Sequence, residues 1–389
     1  MGKIVAAMAT MHAPQLFTRP PEEDPAQLDA GIAAMRELGR RIEQAKPDAL
    51  MVFASDHMET FFLESVPTFA LISGERVDAR FAGRSWAPRI HQELGEHLLD
   101  RLVRREFDLS YSQHAELGHS FGAVFEWVLE GRDIPVIPFF VNTYLPPLPT
   151  ARRCAKLGQA IAEIVAARPE RMAVIASGGM SHYPGTARYY RPAFDFDHWC
   201  IQELENGHSD SFLNLTPEQL DEVGNTEMLP WAIVLGAAGR QHMEVLSYQE
   251  TAHHGHAVAE FHPGEKPGRN EPPRTYTFAN HPFHFYDHPA VSAFRLNKLL
   301  YDSRFMPQLR LRLLKDAHAV GAEYQLQPGQ IRALEMACRL EHNRTDKPGL
   351  DAEPLVELGA HPVGALMAIH VLQAEQRRLQ NTGELVTEP

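Results

Sequence analysis

The chain is poor in cysteine, in basic charge and in long apolar runs. Only three cysteines occur in 389 residues (Cys154, Cys200 and Cys338), far apart and with no C-x-x-C pair. This argues against a disulfide scaffold and against a cysteine zinc site, and it fits a reducing, cytoplasmic setting. No apolar run approaches the roughly 18–20 residues that a bilayer-crossing helix needs. The opening MGKIVAAMATMHAP has one lysine and a short apolar stretch, so it reads as a first β-strand and not as a signal peptide. Lysine and arginine are outnumbered by acids, for a net charge of −13. Such a surface repels nucleic acid and anionic membranes, and both are discounted as partners. Apolar residues at 44% and charged residues at 22% leave neither a disordered chain nor a collagen-like or coiled-coil one. No internal repeat is visible.

Histidine, by contrast, is plentiful, with 21 in the chain. Strand-like and helical runs alternate through the first 265 residues. Lys3–Thr10, Ala49–Ser55, Pro67–Ile72, Ile134–Val141, Met172–Ala176, Glu244–Tyr248 and Ala257–Phe261 read as strands. Pro138 marks its strand for an edge or a bulge. Gln27–Gln44, Ile90–Arg104, Thr150–Ala166 and Met228–Ala238 read as helices, the last with Pro230 near its first turn. This alternation predicts an α/β fold, a central sheet flanked by helices, over residues 1–265. Residues 266–289 read as a linker, from the proline-rich start of HPGEKPGRNEPPR onward. From 290 to 389 the signal is helical only: Ala290–Leu300, Gln308–Ala319, Pro328–Cys338, Glu353–Gly359 and Val363–Leu379 predict a small all-α domain.

Three predicted strands run into polar motifs. The first ends in Thr10-Met11-His12-Ala13-Pro14, the second in Ser55-Asp56-His57, and a third in Ser177-Gly178-Gly179-Met180-Ser181-His182. Open α/β sheets bind ligands beyond the carboxyl ends of their strands, so these histidines can converge. A single strand-end histidine is more often a hydrogen-bonded loop residue; three such ends make a shared site a fair reading. Gly178 and Gly179 let backbone approach a ligand closely, or simply make a tight turn. Two histidines and one carboxylate suit non-haem Fe(II), which must bind substrate and O2 together, and also catalytic zinc. The carboxylate candidates are Asp56, Glu116 and Glu227; spacing does not choose among them. Asp56 reads better as a loop cap, and Glu227 equally as a first-turn residue complementing a helix dipole. His119 precedes a short apolar helix and reads either as an exposed helix start or as a site residue. His253-His254-Gly255-His256 opens a strand, where alternation points ligands to both faces. The tract HPFHFYDH (281–288) reads as aromatic linker packing with surface histidines.

Taken in order, Met11-His12-Ala13-Pro14, Ser55-Asp56-His57, Gly118-His119-Ser120, Ser177 to His182 and Glu227-Met228-Leu229-Pro230-Trp231 resemble the class III extradiol ring-cleaving dioxygenases of the protocatechuate 4,5-dioxygenase and gallate dioxygenase type. Pro149 to Gly158 looks especially like the gallate enzymes. Phe294-Arg295-Leu296-Asn297-Lys298 resembles the start of the small α subunit, which gallate dioxygenases carry fused behind the catalytic β part as a lid. The resemblance implies His12, His57 and Glu227 as Fe(II) ligands, His182 as the acid/base residue, and His119 as a second active-site histidine. It implies a small catecholic or gallate-like substrate, O2 as co-substrate, no organic cofactor, and a homodimer. The family often has Ser or Thr just before Gly255, helping to hold a substrate carboxylate. His254 stands there and is expected, with Gly179, to meet the substrate; it fits a carboxylate or another substituent, as on a dihydroxypyridine. Gly359-Ala360-His361-Pro362 departs from the gallate pattern. A zinc hydrolase using the same ligands, or a non-catalytic binding protein, are the rival readings.

Overall fold

Every residue of Ala49–Ser55 is buried. A strand of that composition needs cover on both faces, which a mostly parallel sheet between helix layers supplies. The computed structural model, which describes residues 2–239, 241–263, 271–281, 284–338 and 352–382, places this strand inside such a sheet. The strands are β1 (Lys3–Thr10), β2 (Ala49–Ser55), β3 (Phe69–Ile72), β4 (Asp78–Phe81), β5 (Arg84–Trp86), β6 (Ser110–Ser112), β7 (Glu116–Leu117), β8 (Val136–Val141), β9 (Arg171–Ser177), β10 (Gln241–Glu250) and β11 (Gly255–Pro263). Eight form one sheet in the order β10-β11-β1-β9-β2-β8-β3-β6, and β5-β4-β7 form a small second sheet.

The four central strands β1, β9, β2 and β8 are parallel. Their last residues are in register, Thr10 opposite Ser177, Ala54 opposite Ser177 and Ser55 opposite Val141. The segments that follow them therefore leave the sheet at one edge. β11 runs antiparallel to β1, with Met8 opposite Glu260 and Ala9 opposite Ala259, so it is the start of β11 that lies at this edge.

Alternation along β2 divides the core. Leu50, Val52 and Ala54 pack with Leu28, Ile32, Met35, Leu38 and Ile42 of the helix Pro25–Ala45. Asp24 caps that helix through Ala26 N–H, and Pro25 sits in its first turn. Met51 and Phe53 face the other way, toward the helices Gln92–Val103, Ala151–Ala166 and Leu229–Ala238. The last two cross closely. A Cβ on Gly158 would lie 1.8 Å from the Ile233 carbonyl oxygen, and one on Gly236 would lie 1.9 Å from that of Ala155, so only glycine fits at either contact.

Pro138 is a correction to the expected edge or bulge. β8 is an interior strand, paired with β2 on one side and β3 on the other. Val136 N–H points to Arg89 O on the β3 side, so the missing N–H of Pro138 falls on that same side. β3 pairs only with Phe139, Phe140 and Val141, so no ladder bond is lost there.

The chain forms two compact units, Met1–Phe61 with Ser65–His182 and Pro192–His284, and Phe62–Glu64 with Tyr183–Arg191 and Phe285–Pro389. The second is helical, with Leu296, Leu299, Leu300, Leu334, Ile369 and Leu372 in its core. The predicted helix Gln308–Ala319 is two helices, Pro307–Lys315 and Ala317–Glu323. Asp316 leaves the helical conformation between them and caps the second through Ala319 N–H. Asn297 donates to Ala293 O and Gly359 O and accepts from His361 N–H, which fixes the turn before the helix Pro362–Thr382. Within the linker expectation, 271–281 are without regular structure and 264–270 lie outside the described residues, as do 282 and 283 of the 281–288 tract; His281, His284 and His288 are exposed and Tyr286 is buried.

Candidate active site

The common edge of the parallel strands brings the strand-end motifs together. His12 follows β1, His57 follows β2, and the 178–182 loop follows β9. Glu227 arrives from a short 3-10 turn, Thr226–Met228, ahead of Leu229–Ala238. It is fully buried and sits at the centre. Its Oε1 lies 3.0 Å from His12 Nε2 and 2.9 Å from His57 Nε2, and accepts from Ser55 Oγ at 2.8 Å. Its Oε2 accepts from Gly179 N–H at 2.9 Å and lies 3.5 Å from His182 Nε2.

Hydrogen-bond direction assigns the tautomers. Ser177 Oγ donates to Ser120 O, so at 3.1 Å it accepts from His12 Nδ1. A neutral His12 then presents the Nε2 lone pair to a carboxylate oxygen. That arrangement requires a positive charge, either a proton on Nε2 or a cation held by both groups. Burial would raise the Glu227 carboxyl, but the neighbouring charges of His12 and His182 and the bonds from His12 and His57 hold it well below the usual carboxylate range. Burial, followed by the charge of His119, pushes His57 down to about 4. Two imidazole nitrogens facing one ionised carboxylate make a suitable donor set for a divalent transition metal.

His182 is oriented at both nitrogens. Its Nδ1 donates to Met180 O at 2.8 Å, which leaves Nε2 to accept from Tyr144 O–H at 2.7 Å. Burial lowers its pKa. The His254 ring stacks on it, with centroids 3.9 Å apart. A Cβ on residue 179 would lie 1.7 Å from His254 Nε2, so glycine is needed where this ring meets the loop.

His119 is fully buried, which excludes the exposed helix start. Its Nδ1 lies 3.2 Å from both Glu59 oxygens, and its ring centroid is 4.3 Å from that of His57. Its Nε2 has no hydrogen-bond partner among the described residues. Asp56 accepts from the backbone N–H groups of Glu59, Thr60 and Phe61 and so ties the loop after β2; burial lifts its carboxyl to about 6. Glu116 is exposed on β7, 3.9 Å from Arg80, and takes no part.

Several residues here escaped the sequence reading. Tyr144 follows β8, the fourth parallel strand, and so lies at the same kind of strand end as His12 and His57. Asp197 is buried behind the loops and accepts from Ser181 N–H and O–H, Asn225 Nδ2 and Tyr248 O–H. It ties the 178–182 loop to the turn that carries Glu227. Burial lifts it to about 6. Nothing in its local sequence marks it.

Curated relatives include a 2,3-dihydroxyphenylpropionate/2,3-dihydroxicinnamic acid 1,2-dioxygenase of Klebsiella pneumoniae (strain 342), 31% identical over 174 residues, which is 44% of this chain and 55% of that protein. A 2,3-dihydroxyphenylpropionate/2,3-dihydroxicinnamic acid 1,2-dioxygenase 2 of Pseudomonas putida is 30% identical over 174 residues, with the same coverage. The chain spans about half the length of these relatives. A solved structure of an uncharacterized protein from Escherichia coli K12 aligns with a TM-score of 0.45 at 15% identity, over 65% of this chain and 99% of that one. The family model described as the catalytic LigB subunit of aromatic ring-opening dioxygenase matches residues 6–261, most of the chain and all of the site above, and the chain belongs to that LigB family.

Proposed function

We propose that this chain is an Fe(II)-dependent extradiol dioxygenase that inserts both atoms of O2 into a small catecholic ring bearing a carboxylate. The observation that carries the reading is the meeting of His12 Nε2 and His57 Nε2 on one Glu227 oxygen, at 3.0 and 2.9 Å. Donor atoms at right angles around an ion with bonds near 2.1 Å lie about 3 Å apart, so this spacing suits a coordination shell. Membership of the LigB family favours ring opening over hydrolysis. The names of the relatives favour a diol with a carboxylated side chain.

His12, His57 and Glu227 would hold the metal on one face and leave other positions open. Fe(II) bound there supplies a centre that holds the diol oxygens and O2 together and passes electron density between them. The remaining work belongs to the chain. His182 takes the proton of a diol hydroxyl at Nε2, because its Nδ1–H is committed to Met180 O. Loss of that proton makes the ring electron-rich and open to attack. Tyr144 O–H holds the His182 ring in line until substrate arrives. His119, held on Glu59, turns its open Nε2 toward the ligand cluster, where it can hold a proton near the reacting oxygens. The ring opens beside the diol carbons, and both oxygen atoms stay in the product. We expect a homodimer, which sedimentation velocity tests.

The test is oxygen uptake by anaerobically Fe(II)-loaded protein offered protocatechuate, gallate, 2,3-dihydroxyphenylpropionate, plain catechol and a dihydroxypyridine, with the yellow ring-opened product followed by absorbance. Uptake should match diol consumed, and His12→Ala or Glu227→Ala should abolish iron binding. No uptake with any diol, from protein shown to hold iron, would refute the reading; a zinc-loaded hydrolase assay would follow.

A further inference from the structure

Glu227 has two carboxylate oxygens, and an imidazole lone pair faces each. His12 commits Nδ1–H to Ser177 Oγ and presents Nε2 to Oε1 at 3.0 Å. His182 commits Nδ1–H to Met180 O and presents Nε2 toward Oε2 at 3.5 Å. An acceptor on the far nitrogen is how proteins fix the ring of a metal-ligating histidine. Oε1, with His12 and His57, belongs to the iron set. Around Oε2 the pattern recurs, with His254 as its third member. The ligand atoms of His182, Glu227 and His254 all lie within 4.8 Å of one another.

His254 points to a ligand independently of this pattern. It is 4% exposed, and its Nε2 has no hydrogen-bond partner among the described residues. A buried polar atom without a partner is rare and costly, and calls for one. The charge beside it selects the sign of that partner. Glu227 is buried and ionised, so an anion placed against Oε2 is repelled and a cation is attracted. Two imidazole nitrogens and a carboxylate oxygen, with a fourth position left to water, are donors that suit Zn2+. Bonds near 2.1 Å bring donors to about 3–3.4 Å of one another, so a small rotation of the His254 ring closes the set. Tyr144 O–H, 2.7 Å from His182 Nε2, gives way to the ion. His256, the next histidine of β11, is also buried with both ring nitrogens lacking a partner among the described residues, yet it falls outside this group. Its ring lies edge to face with that of His254, centroids 4.8 Å apart.

We propose that His182, His254 and Glu227 Oε2 form a second divalent-metal site, selective for Zn2+ and joined to the first through Glu227, and that zinc there blocks turnover by occupying the nitrogen that takes the diol proton. Only the second half of this statement rests on the ring-cleavage reading. The metal-free full chain is titrated with Zn2+ and, for its visible spectrum, with Co2+, and bound metal is counted by equilibrium dialysis. The wild-type chain should take up two ions, the second about tenfold or more weaker because the first repels it. His254→Leu and His254→Phe, the latter keeping a ring to stack on His182, should take up one ion with the first affinity unchanged, once thermal melts show them folded. His256→Leu alters the same strand without removing a ligand and should still take up two. In iron-loaded protein, added Zn2+ should slow oxygen uptake while iron stays bound. Half-inhibition of each His254 variant, against its own uninhibited rate, should need about tenfold or more zinc, the scale on which a lost partner weakens a metal site. A wild-type chain that saturates at one ion, a His254 variant that takes two, or a His256→Leu chain that takes one overturns the site. Zinc inhibition that ignores His254 overturns its second half. The two readings fail separately. A His254-dependent second ion in a chain that opens no diol upholds the site and sinks ring cleavage; ring cleavage by a chain that saturates at one ion does the reverse.

Discussion

Gly179→Ala tests how tightly the site is assembled. The new Cβ would lie 1.7 Å from His254 Nε2, 2.3 Å from its Cε1 and 3.0 Å from its Cδ2. The backbone cannot retreat cheaply. Three successive N–H groups are engaged, Gly178 on Thr10 O, Gly179 on Glu227 Oε2 and Met180 on Gly255 O. The ring cannot swing freely either, because it stacks on His182 at 3.9 Å and meets His256 at 4.8 Å. If the ring yields, the stack is lost, worth about 0.5–1.5 kcal/mol, on top of about 1–3 kcal/mol for overpacking. If the backbone yields, Glu227 loses a charge-assisted bond worth about 1.5–3 kcal/mol, and metal affinity falls about tenfold or more. Either route lowers the urea midpoint with an unchanged slope, read by tryptophan fluorescence. Competition with a chelator then shows which route is taken. A variant with wild-type midpoint, metal affinity and turnover would refute the packing described here.

Tyr144→Phe removes the donor 2.7 Å from His182 Nε2 and leaves the His12, His57 and Glu227 set untouched. Metal content per chain should stay at the wild-type level while kcat falls about tenfold, the order of one lost orienting hydrogen bond. All three cysteines are buried; burial raises the thiols of Cys154 and Cys200 and pushes that of Cys338 up to about 12. A chromogenic disulfide at neutral pH should therefore find no rapidly reacting thiol in the native chain and all three in denaturant. Burial holds His256 down to about 3, so this ring is neutral in the fold and protonates in the unfolded chain below about pH 6.5. The unfolded state then binds more protons, so the stability this residue contributes is full above about 6.5 and is lost as pH falls toward 3. His256→Leu should show a shallower acid limb in urea melts between pH 6.5 and 4.

The order of strands and helices over residues 1–265 was legible because apolar runs and helical spacing are local signals. Ala49–Ser55 and Lys3–Thr10 show this, with bounds in the fold that match the reading. Short edge elements such as β4, β5, β6 and β7, and the helices Phe194–Glu205, Ser209–Leu213 and Pro217–Glu222, carry too few periodic residues to stand out. Pro138 misled because its cost depends on which neighbour faces its missing N–H, a matter of sheet order and not of sequence.

The strand-end motifs by themselves pointed to one edge, since parallel strands in register must release their ends together. What local sequence could not decide was the carboxylate. Asp56 adjoins His57 yet turns to its own loop, whereas Glu227 comes from 170 residues further on to meet both histidines. Only tertiary structure decides such a choice, because a buried charge is tolerated only where distant donors converge on it. Asp197 behind the loops and the unpartnered nitrogens of His256 are of the same kind. Burial and partnership arise from the packing of elements far apart in the chain, and no window of neighbouring residues contains them.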